Sequence, residues 1–91
     1  MTKEYLYSRI KEMMSDMHKY LVIFEKAEDN YSAYSPDIPG CIATGDTRDE
    51  VEKNIREAIN FHIEGLAKDG SPLPEPASFT EYVEVQDIGK F

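Results

Sequence analysis

Three features of this sequence predict an α+β fold in which helices pack on a small antiparallel sheet. Short β-branched and aromatic runs occupy residues 20–44. A capped amphipathic stretch follows them, and an alternating run closes the chain. The order reads α-β-β-β-α-β, a hairpin and meander crossed by a helix. Ninety-one residues make one domain. A chain this short buries only roughly 60–65% of its unfolded surface, so its core is thin and association is a natural way to bury more.

The first element is a helix from Thr2 to His18, within an N-terminal amphipathic segment 1–19 that precedes the main domain 20–91. Leu6, Ile10, Met13, Met14 and Met17 fall on one side at helical spacing. Such a methionine-rich stripe packs either on its own domain or on a second subunit. A homodimer or homotetramer held by these five residues is expected.

Tyr20 to Glu25 reads as a strand buried on both faces or nearly so. Glu28-Asp29-Asn30 turns the chain, and Tyr31 to Tyr34 returns as the second strand of a hairpin. Pro36 to Gly40 is a loop or bulge, because prolines donate no ladder hydrogen bonds. Cys41 to Thr44 forms a short third strand, ended by Gly45-Asp46.

Thr47-Arg48-Asp49-Glu50 is a capping box. The helix it opens runs to about Lys68, with Gly70 in the left-handed position beyond its end. Val51, Ile55, Ala58, Ile59, His62, Ile63 and Leu66 form its apolar side, and Glu52–Arg56 is an i,i+4 pair. Ser71 to Pro76 carries three prolines and reads as an extended connector. Phe79 to Gln86 alternates and reads as a returning strand.

The net charge of -8 is uneven. Residues 25–52 hold eight acids against Lys26 and Arg48. Acidity disfavours direct contact with nucleic acid. It suits a basic protein partner, or it serves solubility alone. A single cysteine, no apolar leader and no run of ~20 apolar residues point to a cytoplasmic protein outside the membrane.

Catalytic chemistry finds little support. Cys41 sits among small apolar residues with no histidine in a dyad context, so it reads as a structural thiol. His62 has Ala58 and Leu66 at helical spacing rather than ligands, so it reads as a packed or interface histidine. Glu25, Asp37, Asp46 and Asp49 would be the candidates for a carboxylate metal site, but only Glu25 falls in a strand run. No enzyme activity, metal or cofactor is expected.

Three motifs in sequence carry a resemblance. Tyr34-Ser35-Pro36-Asp37-Ile38-Pro39-Gly40-Cys41 is similar to the "PDLPGC" loop of the HicB family of antitoxins. Ala43-Thr44-Gly45-Asp46-Thr47 and the acidic helix start continue it. Asp69 to Pro76 is similar to that family's "DG-x-P-x-P-x-P" connector. Together they span about Tyr20 to Val85.

The resemblance implies a truncated RNase H-like fold without nuclease activity. It implies an antitoxin that binds and neutralises a small basic mRNA-cleaving toxin of the HicA type. Many members of the family carry a C-terminal DNA-binding module. With Phe91 five residues past the last expected strand, this chain resembles a short form without one.

Charge and expected exposure nominate the toxin-contact residues. Tyr34, Asp37, Ile38 and Pro39 would form a projecting loop with an apolar tip, and Glu28, Asp29, Asp46 and Asp49 an acidic rim. The loop either presents this surface or only turns the chain. The alternative function is an orphan oligomeric regulatory or binding module of the same fold, without a toxin.

Overall fold

The computed structural model describes residues 3 and 18–89. The apolar stripe Leu6, Ile10, Met13, Met14 and Met17 lies outside them.

Three strands form one antiparallel sheet in the order β1 (Ile23–Lys26), β2 (Tyr31–Tyr34), β3 (Ile42–Gly45). Ile23 pairs with Tyr34 and Lys26 with Tyr31; Tyr31 in turn pairs with Gly45 and Tyr34 with Ile42. The β1–β2 turn is closed by the Ala27 N–H donating to the Asn30 carbonyl at 2.8 Å. β2 has the limits its sequence predicts. β3 lies one residue later than expected, and Gly45 is its last paired residue rather than its breaker.

Helix α1 (Arg48–Lys68) then crosses the sheet. Thr47 has extended backbone, and its Oγ1 accepts the Glu50 N–H at 3.1 Å. Among the described residues no return bond joins the Glu50 carboxylate to the Thr47 N–H, so half of the capping box forms. At the other end the Gly70 N–H donates to Ala67 and the Ser71 N–H to Leu66, with Gly70 at φ +68°. This is a Schellman ending, and its left-handed residue is the expected glycine. The Arg56–Glu52 pair is present at 3.2 Å between two exposed side chains.

The helix packs on β3 and β2, not on β1. Gly45 allows this close approach: a Cβ there would lie 2.5 Å from the Val51 nitrogen. The Asn54 side chain also donates to the Thr44 carbonyl at 2.8 Å. Ala33, Ile38, Cys41, Val51 and Ile55 make the buried core. Ala58, Ile59 and Ile63 continue the helical stripe against it, partly buried.

Two expectations fail. β1 is not buried on both faces: it is an edge strand outside the helix's cover, and Phe24 is 47% exposed. Residues 79–86 form no strand. Phe79 is 86% exposed and Val85 85%, and among the described residues no strand pairs with them. Alternation made the segment fit for a sheet, but among the described residues it is not laid along the open edge of the sheet.

Candidate functional site

The loop between β2 and β3 is built by its own backbone. The Ser35 N–H donates to the Cys41 carbonyl, the Ile38 N–H to Ser35 and the Cys41 N–H to Ile38, at 3.2–3.3 Å. Gly40 turns the chain at φ +78°. These bonds point Ile38 inward, where it is 1% exposed and part of the core. The expected apolar tip is therefore absent, and Ile38 holds the loop down instead. Tyr34 and Pro39 remain exposed. Ser35 is buried too, and its hydroxyl has no hydrogen-bond partner among the described residues.

Asp37 does not project freely. Its Oδ2 accepts the Ala77 N–H at 3.1 Å and the Ser78 N–H at 3.0 Å, and its Oδ1 accepts the Ser78 hydroxyl at 2.8 Å. The Ser78 backbone and hydroxyl bonds, with Ala77 adding to them, hold its carboxyl below the usual carboxylate pKa. The Tyr20 hydroxyl donates to the Pro74 carbonyl at 2.7 Å. Desolvation raises the Tyr20 pKa, and the charges of Glu75 and Asp37 push it the same way. The connector is thus clamped twice. Sequence reasoning missed both clamps; the only signal was that a proline-rich connector cannot hold itself by ladder bonds.

Register decides where the other acids lie. Glu28 and Asp29 sit in the β1–β2 turn, beyond the Lys26–Tyr31 pair. Asp46 follows Gly45, which pairs with Tyr31, and Asp49 lies in the first turn of α1. All four are exposed and share one end of the sheet. Tyr34, Asp37, Ile38 and Pro39 lie at the opposite end. The expected loop with an acidic rim is therefore two separate regions.

Little here suits catalysis. Cys41 is buried, and desolvation raises its pKa, the reverse of an activated thiolate. His62 is half-buried on α1. Glu25 is exposed on the edge strand, and the sheet separates Asp37 from Asp46 and Asp49. Among the described residues no three His, Cys, Asp or Glu side chains gather as metal ligands. No helix among them is long and apolar enough to cross a membrane.

Fold and surface define a small α+β domain: a three-stranded meander, one covering helix and a clamped proline connector, with an acidic end. The family model described as the HicB-like antitoxin of bacterial toxin-antitoxin systems matches residues 20–90. The chain belongs to that family. It is 39% identical over 72 residues to an uncharacterised 14.9 kDa protein of Haemophilus phage HP1, covering 79% of this chain and 54% of the phage protein. It is 33% identical over 73 residues to Antitoxin HicB 2 of Photorhabdus laumondii, covering 79% and 52%. The chain thus spans about half the length of these two relatives. Among solved structures it is similar to a chain of a HicA3 and HicB3 toxin-antitoxin complex, 38% identical with a TM-score of 0.55, covering 66% of this chain and 70% of that one.

Proposed function

We propose that this protein is a cytoplasmic antitoxin that binds and neutralises a small basic mRNA-cleaving toxin of the HicA type, without catalysis of its own. The observation that carries this reading is the 38% identity to a chain of a solved toxin-antitoxin complex, over two thirds of this chain. The charge supports it. At -8 overall, with Glu28, Asp29, Asp46 and Asp49 exposed at one end of the sheet, the surface attracts a basic protein and repels RNA. In this reading the acidic end steers the toxin, and Tyr34 and Pro39 make a second contact at the other end. Asp37 shapes that second contact through the connector rather than by touching the toxin. In this reading the β-β-β-α unit is a truncated RNase H-like domain that has kept a binding surface. The stripe Leu6, Ile10, Met13, Met14 and Met17 would hold the oligomer.

The test is co-expression with a neighbouring small basic reading frame. Growth arrest by the basic protein alone, relieved by this chain with recovery of a salt-sensitive complex, is the expected result. A neighbouring basic protein that is harmless and unbound would leave an orphan binding module.

A further inference from the structure

The sheet leaves one apolar groove open. Tyr20, Val22 and Phe24 alternate along one face of the chain entering β1, and Ile55 and Ile59 face them from α1 across a groove of about 300 Å³. Among the described residues β1 has no neighbour on its outer side. Residues 79–86 are the complementary half. Phe79, Glu81, Val83 and Val85 occupy alternate positions, so a strand here would present three apolar side chains and one carboxylate on one face. Phe79, Val83 and Val85 are exposed, and among the described residues the segment pairs with no strand.

The connector's path decides whose segment fills the groove. Pro74 is held by Tyr20, just before β1. Ala77 and Ser78 are held by Asp37, in the loop joining β2 to β3 at the same end of the sheet. The chain is therefore clamped beside the β2–β3 loop, inward of the β1 edge, before residue 79 begins. Pro72, Pro74 and Pro76 stiffen that path.

The geometry points to strand exchange: residues 79–86 of one copy add to the β1 edge of a second copy and fill its groove, reciprocally. Charge is mixed on both sides of the fit. Lys26 and Arg48 line the adjoining part of the groove together with Glu25 and Glu52, and neither cation has a carboxylate within salt-bridge distance among the described residues. The segment brings Glu81 on its groove-facing side and Glu84 on the other, with Asp87 just beyond. The path of the connector, rather than charge, makes a second copy the better occupant. Burying both segments in both grooves removes on the order of 1,500 Å² from water, the size of a stable interface.

The test uses the unmodified full chain. Equal amounts of light and 15N-labelled protein are unfolded and refolded together, then treated with a carbodiimide. The reagent joins the Lys26 amine to a nearby carboxylate as an amide, with loss of water. Exchange predicts peptides linking Lys26 to the 81–87 segment, with light–heavy hybrids as abundant as the two pure species combined. Val83→Glu is expected to abolish these links while far-UV spectra stay native. Pure light and pure heavy links alone would show a segment folded onto its own chain and overturn the proposal. Absence of any Lys26 link, or its appearance only with a basic partner protein, would overturn it equally.

Discussion

Asp37 and Ser78 are joined by two hydrogen bonds across 41 positions of sequence, one from the backbone N–H at 3.0 Å and one from the hydroxyl at 2.8 Å. This pair fixes where the connector leaves the domain. It also makes that exit sensitive to acid. The bonds favour the charged carboxylate, so the Asp37 pKa is lowered in the folded state. Its contribution is complete above the unfolded value of about 3.9 and is lost as pH falls through the lower folded value. Amide exchange at Ala77 and Ser78 should be slowed near neutrality and lose that protection below that range. Asp37→Ala should remove it at every pH. Unchanged protection in Asp37→Ala would show that the clamp does not form in solution.

Gly45 and Val51 set the spacing between β3 and α1. A Cβ at 45 meets helix backbone, which cannot move aside like the end of a flexible side chain. Gly45→Ala should cost about 1–3 kcal/mol, seen as a lower urea midpoint at constant slope. A midpoint equal to the parent's would mean that helix and sheet are further apart than described.

The cap at Thr47 separates two neighbouring substitutions. Thr47→Ala removes the acceptor for the Glu50 N–H and should cost about 1 kcal/mol. Glu50→Gln should cost clearly less, because no return bond from its side chain forms among the described residues. Equal losses in urea unfolding would indicate a complete capping box.

These local features were legible in the sequence because their chemistry is local. Thr47, the Gly70 ending, the Glu52–Arg56 pair and the limits of β2 each follow from residues a few positions apart. The features that were not legible depend on distant parts of the chain. Tyr20 to Glu25 has the composition of a buried strand, yet whether it is central or at an edge depends on where α1 lies. Phe79 to Gln86 alternates like a strand, but alternation does not supply a partner. Ile38 sits between two prolines in a loop with no periodicity, so no pattern marked its inward face. The split of the candidate site follows from register. Acids close in sequence to the β2–β3 loop lie across the sheet from it.

The acidic end should act on rate more than on lifetime. Asp46→Asn combined with Asp49→Asn should slow association with the basic toxin about tenfold at low ionic strength, with the difference shrinking as salt rises. Stopped-flow mixing would show this. An association rate that is unaffected at low salt would move the contact to another face.

The central claim is direct neutralisation of a toxin. It is tested by titrating this protein against mRNA cleavage by the purified product of the neighbouring basic reading frame. Cleavage should fall linearly and stop near one antitoxin chain per toxin, and sensitivity should return at high salt. Cleavage that continues undiminished at a large excess of this chain would contradict the account.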